Sequence, residues 1–310
     1  MKAFQNISAN GYLKRYGMKY GFLRALFLAN PFHILNDYEN KKILYYRKIK
    51  KYLIKKYYKY CDSVPEGLQF GECAVENPIW IYWKQGFENA PEIVNKCVKS
   101  VMEYAENPVI QLDEKCVTKY VKFPSDVMRK YNEGVISDAA LADLLRFSLL
   151  EHFGGTWIDA TVLLTGPIPQ YILESDFFAF QDRFGLIENP ALISNWLLHC
   201  KAGNVAMQKT RNMSFAYWNK EKHVIEYLFT YIILQIIIEN NKEKIGWFPY
   251  ANSDYCHQYL DNLAEPYSEQ LLYHIKELST IHKLTYKLKE SVYVTPNTFY
   301  EHLIHEGEKK

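Results

Sequence analysis

The spacing of apolar residues changes along the chain, and each change marks an element. Between Asp143 and Phe153, Leu144, Leu145, Leu149 and Leu150 recur at helical spacing, so this stretch is expected to be a helix with one apolar side. Gly154-Gly155 stops it, because glycine takes the left-handed conformation at a helix end at little cost. Thr156-Trp157-Ile158 is β-branched and aromatic and predicts a short buried strand whose end presents Asp159. Further strands are expected at Pro78–Tyr82, Pro108–Asp113 and Phe177–Phe180, with a helix opened by Pro91 after the first. The stretch from Asn204 to Glu239 reads as strongly helical. Within it Ile232–Ile238 is apolar around most of its circumference and should be buried.

This alternation of strands and helices predicts an α/β domain, and a carboxylate at a strand's C-terminal edge there lies where ligands bind. Asp143 and Arg146, three apart, share a helical face. Two readings stay open. In one, the pair merely orients the helix and Asp159 caps a turn. In the other, these groups meet a nucleotide diphosphate and a divalent cation, for which one or two carboxylates plus phosphate oxygens suffice.

Composition narrows the choice of partners. The chain has 310 residues, 48% of them hydrophobic, enough for one large domain and an appendage. A net charge of +2 gives no reason to expect nucleic acid. Six scattered cysteines lack zinc-ligand spacing and suit free thiols in a reducing compartment. Charge is uneven, however. Lys41 to Lys59 carries lysines and an arginine but no acid, interleaved with tyrosines and aliphatics. Such a helix suits an anionic membrane surface, or else packs on the catalytic domain with its basic face solvated. Tyr20–Pro31 is apolar but too short to span a bilayer. With Cys61–Asn77 as linker, the expected division is a basic helical N-terminal extension, 1–71, and a catalytic domain, 72–310.

Ala142-Asp143, Arg146 and Gly154-Gly155-Thr-Trp157-Ile-Asp159 resemble the donor-binding core of bacterial capsular polysaccharide synthesis glycosyltransferases, related to glycosyltransferase family 32 and its Asp-X-Asp motif. The resemblance extends to Pro78–Val94, to Ile193–His199 and to Ser279–Lys287. One departure is that the second acid of Asp-X-Asp is Thr161, a poorer cation ligand, although Asp-Ala-Thr also resembles a variant of the capsular branch.

The resemblance implies a GT-A-like α/β fold with a mixed central sheet. It implies transfer of a hexose from a nucleotide diphosphate sugar, a UDP-sugar, to a hydroxyl of a capsule or surface-glycan precursor, with retention. Asp143 and Arg146 would orient the donor sugar, and Asp159, with Thr161 beside it, would hold a Mn2+ or Mg2+ ion on the diphosphate. Tyr82 and Trp83 would stack on uracil and Gln85 read its edge, although these aromatics equally suit core filling. Asn195 and Trp196, with His199 a weaker candidate, would line the acceptor pocket, and Glu226 would supply a carboxylate to donor sugar or acceptor. His282 would complete the cation's ligands and Lys283 would neutralise the leaving diphosphate. The implied partners are the nucleotide sugar and a lipid-linked or growing glycan, in the cytoplasm or on the inner face of the plasma membrane. A rival reading, motivated by Thr161, is a non-catalytic glycan-binding or scaffold subunit of the same assembly.

Overall fold

The computed structural model describes residues 9–29, 38–182 and 191–305. Two helices come first, α1 (Ala9–Ala29), kinked at Gly17, and α2 (Tyr38–Tyr57). Then follow β1 (Gln69–Phe70), β2 (Ile79–Tyr82), α3 (Glu92–Tyr104), β3 (Val109–Leu112), β4 (Val121–Lys122), α4 (Ser125–Asn132), α5 (Asp138–Phe153), β5 (Gly155–Ile158) and β6 (Val162–Leu164). The chain continues through α6 (Gln170–Leu173), β7 (Phe177–Gln181), β8 (Ile193–Cys200), α7 (Val205–Lys220), α8 (Phe229–Asn240) and, after short helices, β9 (Ile281–Lys283).

Five strands form a mixed sheet in the order β3-β2-β5-β8-β7. β2 runs parallel to both β3 and β5, whereas β8 is antiparallel to β5 and to β7. Parallel strands need long crossovers, which α3 and the α4–α5 pair supply. Ile79, Ile81, Ile158 and Leu197 face one layer with Ile93, Val94 and Val101 of α3. Trp80, Trp157 and Leu198 face the other with Leu145 and Leu149 of α5. Covered on both sides, β5 and β8 are buried at every position, and their polar residues Thr156, Ser194, Asn195 and His199 are hydrogen-bonded inside the fold.

Local chemistry fixes the ends of α5. The Ser137 hydroxyl accepts from the Ala140 N–H, and Gly154 ends the helix at φ 70°. Gly155 follows at φ 89°, where an added Cβ would stand 2.1 Å from the Pro78 carbonyl oxygen, so only glycine fits. The turn into β5 is therefore tight, and it brings Asp159 back beside the helix that carries Asp143 and Arg146.

Several elements differ in extent from the pattern of the sequence. The stretch Asn204–Glu239 is two helices, because the chain leaves α7 at Glu221 and re-enters at Phe229. Ile193–His199 lies in the eight-residue strand β8, and the helix α7 follows it at Val205. Leu303 and Ile304 are buried in a closing helix, Phe299–His305. The N-terminal helices pack against the rest of the described chain. Tyr45, Ile49, Leu53 and Tyr57 of α2 turn inward and share a cluster with Trp218, Phe229, Ile232 and Ile236 of α7 and α8. Leu44 and Ile54 of the same helix stay exposed, as do Lys48, Lys51 and Lys55. Among the described residues no helix is long and apolar enough to cross a membrane.

Candidate functional site

Where β5 ends, four charged side chains form a chain of contacts. Arg146 is buried, and its guanidinium lies 3.4 Å from Asp143 and 3.2 Å from Asp159. The Asp159 carboxylate is also 3.4 Å from Lys283 Nζ and accepts the Trp157 indole N–H at 2.9 Å. Trp157 further stacks under the Arg146 guanidinium, 4.9 Å from its ring centroid. Asp143 accepts the Thr230 hydroxyl at 2.7 Å and the Asn195 amide at 3.1 Å. Arg146 donates to the Asn195 side-chain oxygen at 2.9 Å and to its backbone carbonyl. The Asp159 N–H, in turn, donates to the Trp196 carbonyl at 2.8 Å, which ties the acid's backbone to β8.

The two acids are pushed in opposite directions. Burial raises the Asp143 carboxyl, and Arg146 and the hydrogen bonds from Thr230 and Asn195 offset this only in part. Burial also acts on Asp159, but Arg146 and Lys283 outweigh it and hold that carboxyl below the usual range. Asp159 is thereby kept anionic.

These groups border a cavity of about 410 Å³. Asp143, Arg146, Asp159 and Asn195 line its floor, Tyr227 and Tyr231 one wall, and Lys14 and Arg15 of α1 another.

The strand β9 separates two neighbours that the sequence had paired. It runs antiparallel to β6, and the Lys283 side chain reaches both Asp159 and the Thr161 hydroxyl. His282 points the other way, since consecutive strand residues face opposite sides. It is fully buried against Tyr259, with Nε2 3.0 Å from the Thr165 hydroxyl, and burial lowers its pKa to about 4. His282 therefore does not join Asp159 as a ligand.

Three other candidates stand elsewhere. Glu226 is buried in a two-pronged ion pair with Arg24 of α1, at 2.7 and 3.2 Å, and fastens the 221–228 loop. Trp196 is buried, stacked on Phe180 with centroids 4.7 Å apart, and gives the site only its carbonyl. His199 lies inside the sheet against Thr156, its pKa lowered by burial to about 4. Tyr82 and Trp83 end β2, where Trp83 meets Tyr286 edge-on at 5.2 Å and the turn carries an exposed Gln85. That group is not among the cavity's lining residues.

Sequence reasoning missed Thr230, Tyr227, Tyr231, Lys14 and Arg15 as site residues. The first three lie in the polar-aromatic run from Glu226 to Tyr231, in which Glu226 itself turns to Arg24 and is not among the cavity's lining residues. Nothing local marks Lys14 and Arg15, because only the kink and packing of α1 bring them to the cavity.

The fold is that of a mixed α/β protein, with this polar chain and its cavity where the strand β5 ends. Comparison with known proteins makes the class specific. Residues 29–303 match the family described as capsular polysaccharide synthesis protein, and the chain belongs to that family. No curated protein matches it. Among solved structures it is similar to the PaToxG glycosyltransferase at 11% identity and a TM-score of 0.40, over 86% of this chain and 94% of that one.

Proposed function

We propose that the protein is a glycosyltransferase that moves a hexose from a nucleotide diphosphate sugar, a UDP-sugar, to a hydroxyl of a capsule precursor. The observation that carries this reading is the chain Asp143–Arg146–Asp159–Lys283 at the edge of a sugar-sized cavity. Lys283 neutralises the departing diphosphate, and the cavity receives the sugar over Asp143, Arg146 and Asn195. Carboxylates and amides suit sugar hydroxyls, because they give and take several directional hydrogen bonds in a small space. The Trp83–Tyr286 corner, on the outer side, offers aromatic faces to the base.

Neither acid is placed as a free nucleophile, since both are engaged by cations and hydrogen-bond donors. Retention then follows from attack on the leaving-group face. The bond between anomeric carbon and phosphate oxygen breaks, the acceptor oxygen bonds to that carbon, and the acceptor's proton passes to the leaving phosphate.

One carboxylate and one hydroxyl, Asp159 and Thr161, are too few to hold a cation by protein alone. No group of three or more His, Cys, Asp or Glu suited to a metal occurs among the described residues. Asp159 and Thr161 do fit a Mn2+ or Mg2+ ion that takes its other ligands from diphosphate and water. Such an ion would add positive charge against the leaving group.

The test is a panel of nucleotide sugars with purified protein, with and without manganese, read as nucleotide release and thermal shift. Release of UDP from one UDP-sugar is expected. Tight sugar-nucleotide binding with no turnover for any donor or metal would instead favour the non-catalytic glycan-binding reading.

A further inference from the structure

The helix α1 does more than cover the core. At Gly17 its backbone turns to φ 64°, ψ 174°, and an added Cβ there would stand 2.5 Å from the His223 ring. Glycine is needed both for the conformation and for the close approach. At this kink the Arg15 carbonyl accepts the Val224 N–H at 3.2 Å, and the Lys14 carbonyl lies 3.2 Å from His223 Nδ1. The preceding turn of α1 is thus laid against the cavity wall, with Lys14 and Arg15 among its lining residues. The Lys14 ammonium sits over Gly134, and the Arg15 guanidinium lies 5.1 Å from the Tyr227 ring centroid.

The charges of the cavity do not balance at this end. Asp143 and Asp159 share Arg146, and Lys283 approaches Asp159 from the β9 side without lining the cavity. Neither Lys14 nor Arg15 has an ion-pair partner among the described residues. A lysine and an arginine facing a concave site without counter-charge are suited to a phosphate oxyanion.

We propose that Lys14 and Arg15 form an acceptor subsite that binds a phosphate group carried by the acceptor glycan. The inference rests on the donor reading above, which gives the diphosphate to Lys283. The two acids then lie between two cationic positions, one for the leaving diphosphate and one for the acceptor's phosphate. The N-terminal helix becomes part of the active site.

The probe is glucose 1-phosphate, titrated by calorimetry into the full-length protein with its donor position filled by saturating UDP. Replacing both cations (Lys14→Gln with Arg15→Gln) should weaken this probe about tenfold, while UDP affinity stays unchanged. Gly17→Ala keeps both cations but cannot keep the kink against His223, so it should weaken the probe as well. Binding to the parent should also fall as salt is raised. The proposal is overturned if the double variant binds glucose 1-phosphate as the parent does, or if the UDP-loaded parent does not bind it. A fall in UDP affinity instead would assign these cations to the donor diphosphate. If the parent fails to bind UDP at all, the donor reading fails, and the same titration without UDP still decides whether α1 holds phosphate. Melting temperature and circular dichroism of each variant establish that it is folded.

Discussion

Two of the buried charge sets among the described residues behave differently. Arg24 and Glu226 meet in a sealed, two-pronged pair that joins α1 to the 221–228 loop, with side chains 6% and 3% exposed. Asp143, Arg146 and Asp159 are joined more loosely, at 3.4 and 3.2 Å; Asp159 is 25% exposed, and all three border the cavity. In the first set one acid answers one guanidinium, and a ligand has nothing left to bind. In the second, one guanidinium serves two acids and a second cation, Lys283, stands behind Asp159, which keeps an open side toward the cavity that a substrate can reach. Burial of charge is therefore a poor guide to function unless one also asks whether the partners satisfy each other.

The comparison breaks most readily at Glu226. Replacing it with alanine strands a buried guanidinium and should cost about 3–5 kcal/mol of folding stability. Denaturant melts should show this loss, while the turnover of the molecules that remain folded stays near that of the parent. A stable but inactive Glu226→Ala protein would place this acid in the chemistry after all.

Asp159→Asn tests the other set. It should lower transfer by about 10²–10³, as for other removed electrostatic stabilisers. Its melting temperature should change little, because the amide still accepts from Trp157. Activity equal to the parent's would remove Asp159 from the site, and an unfolded product would make it a fastening like Glu226.

The neighbours His282 and Lys283 sharpen the same contrast through pH. The folded His282 has a pKa of about 4, below the ordinary value of about 6.5, so the folded state resists protonation. Its contribution is fully present above pH ~6.5 and is lost as pH falls from there toward 4, reaching about 3 kcal/mol at pH 4. His199, also near 4, acts in the same direction. In His282→Gln, stability measured by chemical denaturation should fall less steeply between pH 6.5 and pH 4. An unchanged slope would mean that His282 titrates freely and is not sealed.

Much of the site's floor was legible in the chain. Asp143 and Arg146 are three residues apart on a helix, and Gly154-Gly155 forces the turn that returns Asp159 to them. These are short-range relations, set by helix periodicity and by the φ that only glycine takes easily. Lys283 lies beside Asp159 and Thr161, while its neighbour His282 is turned away from them to Thr165. A strand sends adjacent side chains to opposite sides, and the side that faces Asp159 depends on the register of β9 on β6.

The sequence by itself determined the α/β alternation, the acid-arginine motif and the absence of a membrane-spanning apolar run. Which polar residues would be consumed inside the fold was decided only by tertiary structure. Glu226 meets Arg24 across 202 positions of chain, and Asn195 reaches Arg146 across 49. Lys14 and Arg15 reach the cavity through a kink whose purpose is visible only once His223 is beside it. Such contacts depend on how separate layers pack. A carboxylate free to meet a ligand and one spent on a buried guanidinium carry the same local signature until that packing pairs them.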